Sequence, residues 1–200
     1  MQHTLRANAL EAGWIATFED VKVLSLDCFD TILWRKVGEP LDVFYAMAAT
    51  EPFRRAGLTA AMRITAEQGA RRRNWVLNGS MEVTLAEIFR QALPEAAPGL
   101  IEDLCEAELA CEIDHCFVYQ PTFELIREAK GRGVKVVVVS DTYFSSKELS
   151  RLLYAAQPAL AGLLDVVHTS SDFRLSKAAG IWSRLLPLWK VEPAQVLHLG

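Results

Sequence analysis

Residues 21–31 of the chain read Val21-Lys22-Val23-Leu24-Ser25-Leu26-Asp27-Cys28-Phe29-Asp30-Thr31. The apolar, β-branched part of this stretch predicts a strand, and a nearly continuous hydrophobic run is typical of a strand buried on both faces of a sheet. The stretch ends in two carboxylates and a hydroxyl, at the end of the strand where open α/β sheets bind their ligands. The sequence therefore predicts a site that begins at Asp27.

A carboxylate at the tip of a strand has two chemical uses. It can attack an electrophile as a covalent nucleophile, or it can ligate a hard cation such as Mg²⁺. The alternative is structural, because Asp is also a common capping residue at the start of a helix or turn. The stretch by itself leaves these roles open for Asp27 and Asp30.

The composition excludes several classes of function. The 200 residues carry a formal net charge of −4 and a sequence pI near 5.6, which gives no electrostatic reason to expect a nucleic-acid partner. No apolar run is long enough to span a bilayer, and the amino terminus lacks a signal-peptide core. The four cysteines form no Cys-x-x-Cys pair, which argues against a zinc site or a disulfide framework. We therefore expect a soluble protein of the reducing cytoplasm, without a membrane span.

Apolar residues at helical spacing predict a helical insertion between the first strand and the next. Its four predicted helices cover residues 41–48, 60–75, 84–93 and 101–113. Arg71-Arg72-Arg73 lies in the second of them and is interpreted as a solvated helix face, with a guanidinium placed over the site as the alternative. A leading helix is also predicted within residues 1–20, where one face carries Leu10, Trp14, Ile15 and Phe18.

The second half of the chain alternates helices and strands. Four consecutive valines form its clearest strand, and Ser140-Asp141-Thr142 follows at the tip. Around this strand we predict helices over residues 122–130 and 177–189, a helix through Leu149, Leu152 and Leu153, and strands over residues 165–169 and 195–199. Such alternation favours parallel pairing in a doubly wound sheet, so the predicted fold class is α/β.

Three of these segments, in order, resemble the short motifs of the haloacid dehalogenase-like (HAD) hydrolase superfamily. Asp27 and Thr31 lie where the first motif has its nucleophile and its threonine. Ser140 matches the hydroxyl residue of the second motif, and Lys177 matches the lysine of the third. The run Val196-Leu197-His198-Leu199-Gly200 is similar to the fourth motif up to its glycine, where the sequence ends.

More narrowly, Asp27-Cys28-Phe29-Asp30-Thr31 with Ser140-Asp141-Thr142-Tyr143 resembles a branch of predicted HAD hydrolases that is often joined to glycosyltransferase domains. The resemblance implies a HAD-like Rossmannoid parallel sheet with an inserted helical C1-type cap, truncated before the last core elements. Residues 1–40 and 117–200 would form the α/β core, and residues 41–116 the cap. The implied partners are a small phosphorylated substrate and, in a longer chain, a C-terminal glycosyltransferase domain.

The resemblance also implies chemical roles. Asp27 would attack the phosphorus, Ser140 would donate a hydrogen bond to a phosphoryl oxygen, and Lys177 would neutralise its charge and keep Asp27 ionised. Thr31 belongs to the same catalytic set. The expected substrate site further includes Cys28, Phe29, Asp30 and Asp141. Mg²⁺ would be held by the Asp27 carboxylate and the main-chain carbonyl of Phe29.

Several of these residues have a structural alternative. Ser140 could instead end its strand through a side-chain hydrogen bond. Lys177 could instead be an exposed lysine in the first turn of a helix, where its charge would oppose the helix dipole. His198 stands alone in an apolar run, so it is expected to be packed rather than catalytic.

Two departures from the family pattern bear on the function. Phe29 replaces the acidic residue that serves the family's phosphatases as general acid and base, whereas members with an aromatic residue there include dehalogenases that need no Mg²⁺. Asp30 points elsewhere if the segment stays extended, because successive side chains of a strand alternate. If the chain turns sharply at Cys28, Asp30 would instead be able to enter the site, and the sequence leaves these two alternatives open.

The second departure is the end of the sequence at Gly200, before the acidic residue that follows in the family. Mg²⁺ is then expected to be weakly held or absent, because it prefers a near-octahedral set of ligands. We expect the 200 residues to be the amino-terminal part of a longer protein, with little activity alone. Three functions stay open: phosphate-ester hydrolysis, metal-independent dehalogenation, and a degenerate scaffold that binds a phosphorylated ligand or docks a glycosyltransferase domain.

Overall fold

The computed structural model of the chain describes residues 20–200. The leading helix predicted within residues 1–20 lies almost wholly outside these residues. In chain order the elements are β1 Val23–Leu26, β2 Leu33–Arg35, α1 Asp42–Ala48, α2 Glu51–Ala56, α3 Ala60–Asn78, α4 Leu85–Ala92, α5 Pro98–His115, β3 Cys116–Val118, α6 Gln120–Gly131, β4 Lys135–Ser140, α7 Ser146–Ala156, α8 Leu160–Leu163, β5 Val166–Thr169, α9 Ser170–Phe173, α10 Trp182–Trp189 and β6 Val196–Leu199.

A four-stranded parallel sheet forms the centre of the fold, with the strand order β5-β4-β1-β6. The prediction of an α/β fold with a parallel sheet is therefore confirmed. All four residues of β1 are buried, and the strand has a neighbour on each side. Asp27, which follows β1 directly, thus lies at the middle of the carboxyl edge of the sheet.

Side-chain alternation along β1 sends successive residues to opposite layers. Leu24 and Leu26 belong to the larger core, which includes apolar residues of α6 and α7. Val23 belongs to the smaller core, together with Leu185 and Trp189 of α10. Because a strand alternates with period two, the side chains of residues 25 and 27 leave the strand on the α10 side.

A second, antiparallel pair of strands, β2 and β3, connects the sheet to five consecutive helices, α1–α5. We call residues 42–115 the helical insertion. Four of its helices match the predicted ones, but the sequence analysis missed α2 and both short strands. The two strands have three residues each and α2 has six, which is too short for hydrophobic periodicity to be recognised.

The predicted helix over residues 177–189 is wrong at its start. The structure has turns up to Ile181 and begins α10 at Trp182. Gly180 has a backbone φ of 105°, a conformation that a helix does not use and that favours glycine. Lys177 therefore projects from a loop and not from the first turn of a helix.

Among residues 20–200, no helix has the length and apolar character needed to cross a membrane.

Candidate active site

The site is built around an ion pair between two residues that are 150 positions apart in the chain. Lys177 Nζ lies 2.5 Å from Asp27 Oδ2. The side chains keep 20% and 23% of their surface exposed, so both groups can be reached from solvent. A carboxylate at this position can attack an electrophile, and the cation beside it can offset the negative charge that develops in the attack.

Asp141 fixes the loop that carries Lys177. Its Oδ1 accepts a hydrogen bond from the backbone N–H of Lys177 at 2.9 Å. Asp141 directly follows β4, so the tip of that strand holds the lysine loop beside the tip of β1. We had expected Asp141 in the substrate site, and here its carboxylate orients a neighbouring residue of the site.

The Asp27 carboxylate is also held by its own turn. Its Oδ1 accepts a hydrogen bond from the Cys28 N–H at 2.7 Å, and the Asp27 N–H donates to the carbonyl of Leu199 in β6 at 2.8 Å. The Cys28 N–H, expected as a donor to the substrate, is engaged with Asp27 instead. Burial and the nearby Asp27 charge raise the pKa of the Cys28 thiol, which is fully buried and stays neutral.

Asp30 is exposed and has a φ of 57°. This is the left-handed region, which Asp tolerates better than most residues because its short polar side chain can bond locally. The Asp30 N–H donates to the carbonyl of Leu33, and the carbonyl of Cys28 accepts from the N–H groups of Ile32 and Leu33. The chain therefore turns sharply after the strand, the geometry that sequence reasoning had left open.

Gly200, which follows β6, lies against the turn that follows β1. A Cβ atom at this position would come within 3.1 Å of Thr31 Oγ1 and still closer to the Cβ of Asp27. The φ of Gly200 is 122°, which also favours glycine. The end of β6 is thus in close contact with Asp27 and Thr31. A larger residue than glycine would not fit at position 200 without a shift of these neighbours.

Ser140 is the last residue of β4 and is almost fully buried. The register pairs it with Thr169 of β5 and, two residues beyond the pair of Leu26 with Val138, places it at the level of Cys28, one residue past Asp27. It therefore lies at the same edge of the sheet as the ion pair.

The ring of Phe29 packs against the guanidinium group of Arg35. The guanidinium carbon of Arg35 lies 4.2 Å from the centre of the Phe29 ring, and the Phe144 ring centre lies 6.5 Å away. Two hydrogen bonds of 3.1 Å join Arg35 to Glu112 of the insertion. Sequence reasoning missed Arg35 and Glu112, because they meet only when β2 pairs with β3.

The donor set at Asp27 does not fit Mg²⁺ in the part of the chain that the structure describes. No group of three His, Cys, Asp or Glu side chains comes together as a metal site among residues 20–200. Asp27 supplies one carboxylate, and both of its oxygens already accept hydrogen bonds, from Cys28 and Lys177. The carbonyl of Phe29 adds a single further ligand. We therefore derive no step through a metal ion.

His198 of β6 packs behind the ion pair, as expected. Its Nδ1 lies 3.0 Å from the hydroxyl of Ser25, its ring meets Trp182 edge-on at 4.9 Å, and its buried Nε2 has no hydrogen-bond partner within residues 20–200. Burial, followed by the positive charge of Lys177, lowers the pKa of His198 to about 4. The imidazole is therefore neutral near pH 7.

The insertion is fastened to the loop that leads to Lys177. Arg174, with a φ of 54°, donates to both carboxylate oxygens of Glu87 at 2.7 and 2.9 Å and to the carbonyl of Glu82 at 3.0 Å. Ser80 Oγ donates to the carbonyl of Arg174, and Ser170 Oγ donates to the Glu82 carboxylate. No local pattern predicts this cluster, because it joins segments about 90 residues apart in the chain.

A fully buried ion pair lies inside the insertion. Arg63 of α3 donates two hydrogen bonds of 2.7 Å to Glu108 of α5. The Arg63 guanidinium carbon also lies 4.8 Å from the ring centre of Tyr143, which follows the tip of β4. Through this ring contact and the Arg174 cluster, the insertion contacts the loops that follow both β4 and β5. Arg71 donates to Glu67 and to the Met81 carbonyl, so this guanidinium stabilises the insertion.

Comparison with known proteins gives the class of fold. No family model and no curated protein sequence matches the chain. Among solved structures, an L-2-haloacid dehalogenase superposes with a TM-score of 0.56 and 13% identity, over 90% of this chain and 77% of that one. A predicted phosphoglycolate phosphatase from Haemophilus somnus 129pt superposes with a TM-score of 0.55 and 12% identity, over 90% of this chain and 76% of that one. CbbY from Rhodobacter sphaeroides, in complex with phosphate, superposes with a TM-score of 0.53 and 17% identity, over 89% of this chain and 76% of that one.

The fold is therefore that of the haloacid dehalogenase-like hydrolases, as the motifs had implied. Dehalogenases and phosphatases are both among the structural neighbours, so the likeness in fold leaves the reaction to be argued from the site.

Proposed function

We propose that the chain is a hydrolase that cleaves a small phosphate ester through a covalent intermediate on Asp27. The observation that carries this proposal is the ion pair of Asp27 with Lys177 at the carboxyl edge of the central strand. A carboxylate beside a cation, partly open to solvent, has the properties of a nucleophile whose substrate carries negative charge.

The reaction has two steps. An Asp27 oxygen attacks the phosphorus, the ester P–O bond breaks, and the alcohol leaves and takes up a proton. Water then attacks the aspartyl phosphate, so that inorganic phosphate leaves and the carboxylate is restored. Lys177 would offset charge on the phosphoryl oxygens in both steps, and Ser140 would donate a hydrogen bond to one of them. The expected Mg²⁺ ligands, Asp27 and the Phe29 carbonyl, stay a prediction.

The helical insertion would act as the cap of this site and select the substrate. This proposal is supported by two contacts between the insertion and the core, the ion pair of Arg174 with Glu87 and the stacking of Arg63 over Tyr143, which hold the insertion beside the loops that follow β4 and β5. The proposed boundaries remain residues 41–116 for the cap and residues 1–40 and 117–200 for the core.

A second candidate function is dehalogenation through the same nucleophile. It is favoured by Phe29, whose ring is covered by Arg35 and which has no proton to give to an alkoxide leaving group. In this reaction Asp27 would attack the carbon that bears the halogen, the halide would leave without a proton, and water would hydrolyse the resulting ester. A halide does not need a general acid, in contrast to an alcohol.

The test compares the wild-type chain with Asp27→Asn and Lys177→Met in phosphate release from p-nitrophenyl phosphate and chloride release from L-2-chloropropionate. We expect Asp27→Asn to lower kcat by about three orders of magnitude or more, and Lys177→Met by about two to three. The matched controls are Asp114→Asn and Lys147→Met, which change exposed residues and should keep wild-type turnover.

The assays separate the candidates. Phosphate release that depends on Asp27 supports the first function, and chloride release supports the second. Sensitivity to EDTA reports on Mg²⁺. Equal turnover by wild type and Asp27→Asn contradicts both functions, and phosphate binding without any turnover supports the non-catalytic scaffold.

A further inference from the structure

A cavity of about 280 Å³ lies within the helical insertion, between α3 and α4. Its wall is formed by Ala70, Arg73, Asn74, Leu77, Asn78, Val83, Glu87, Arg90 and Gln91. None of the residues of the Asp27 site belongs to this wall. The volume is near the lower end of the range for small-molecule sites in proteins, so the cavity has room for a small organic molecule.

Two guanidinium groups of this wall have no acidic partner. The side chains of Arg73 and Arg90 form no ion pair and no hydrogen bond with other residues of the described chain, whereas their neighbour Arg71 is paired with Glu67. Arginine carries five N–H donors and stays charged at all ordinary pH values. Both side chains are exposed, so their donors are available to an anion that enters the cavity.

The side-chain amide of Gln91 is a third donor at the cavity, and a glycine inside α3 makes room for it. Gly69 lies inside α3, where glycine is about 1 kcal/mol less favourable than alanine. A Cβ at this position would lie 3.3 Å from Cγ and 3.4 Å from Nε2 of Gln91. The glycine therefore makes room for the Gln91 side chain, whose half-buried amide makes no hydrogen bond within residues 20–200.

The remaining polar groups of the wall are mostly satisfied. Glu87 is the one acidic residue of the wall, and its carboxylate accepts hydrogen bonds from Arg174 and from the Thr84 N–H. The Asn74 amide donates to the carbonyls of Ser80 and Glu82. The groups left free to bind a ligand are thus mainly donors and cations, which select for negative charge.

We propose that the cavity between α3 and α4 binds a small organic anion, with a phosphate or carboxylate group held by Arg73, Arg90 and the Gln91 amide. The apolar side chains of Ala70, Leu77 and Val83 would contact the rest of the molecule. This site is separate from Asp27 and does not depend on the reaction proposed there.

The test is a titration of the 200-residue chain followed by ¹H–¹⁵N spectra of the Gln91 amide and the arginine Nε–H groups. The background variant is Lys177→Met, which weakens phosphate binding beside Asp27. Three probes are used: inorganic phosphate, phenyl phosphate and benzoate. We expect saturable shifts of the Gln91, Arg73 and Arg90 signals with at least one probe, and the probe that binds identifies the acidic group.

Variants decide whether these groups form the site. Arg73→Ala with Arg90→Ala should weaken binding by at least about tenfold, because two charge-assisted contacts are lost. The matched control, Arg54→Ala with Arg72→Ala, removes the same charge from exposed arginines outside the cavity and should leave the affinity unchanged. The proposal is overturned if no probe gives saturable shifts, or if the control pair weakens binding as much as the cavity pair does.

Discussion

Acidification should destabilise this protein through one partly buried histidine, His198. Its imidazole packs on Trp182 and against Ser25, with Nε2 buried and unpartnered in the described part of the chain. Burial and then the charge of Lys177 lower its pKa to about 4, from an ordinary value of 6.5. The folded state therefore takes up this proton less readily than the unfolded state does.

The sign and size of the effect follow from linkage. Because the pKa is lower in the folded state, the stabilisation is present above pH 6.5 and is lost as the pH falls toward 4. The difference in pKa corresponds to about 3 kcal/mol in all, at 1.36 kcal/mol for each pKa unit. Between pH 7 and pH 5 the loss is about 2 kcal/mol.

Urea unfolding at pH 7 and pH 5, with wild type and His198→Asn, measures this effect. Asparagine does not titrate, and it keeps a polar group opposite the Ser25 hydroxyl. The carboxyl groups of the protein titrate in both chains, so their contribution cancels in the comparison. We expect the wild type to lose about 2 kcal/mol more than the variant between the two pH values. If both chains lose the same free energy of unfolding, the reasoning about His198 is refuted.

Three further predictions concern the contacts of the insertion and the end of β6. Glu108→Gln should lower the free energy of unfolding by about 3–5 kcal/mol, measured by urea unfolding, because the buried Arg63 guanidinium loses its buried carboxylate and keeps only the half-buried Glu67; a loss below 1 kcal/mol would contradict this. Arg174→Ala should speed hydrogen exchange of the amides of residues 79–84 without changing exchange in β1, and equal protection of this loop would argue against the anchor. Gly200→Ala should lower the thermal midpoint, because the added methyl group would overlap the side chain of Asp27, and an unchanged midpoint would count against that contact.

The sheet could be predicted from the sequence because its strands are locally encoded. The apolar run before Asp27 and the four valines before Ser140 belong to strands that are buried on both faces, and such strands have continuous hydrophobic sequences. Parallel pairing then follows from the alternation of strands and helices. Polar residues at the ends of these strands marked the correct edge of the sheet.

The candidate site was predictable only in part. Asp27 and Lys177 were named because their motifs resemble those of a known superfamily, and the structure brings the two side chains together. The role of Asp141 as the acceptor for the Lys177 N–H was not foreseen. That contact depends on how two loops meet, which local sequence does not specify.

The sequence by itself thus determined the order along the chain of the longer helices and of the strands of the central sheet, the fold class and the identity of the residues at the strand tips, since these depend on local periodicity and residue type. The tertiary structure alone decided which of these residues touch. Arg35 meets Glu112 because β2 pairs with β3, and Arg63 is buried because Glu108 and Tyr143 surround it. The physical reason is that these contacts join residues far apart in the chain, where the free energy depends on packing and desolvation in three dimensions and not on local conformational preference.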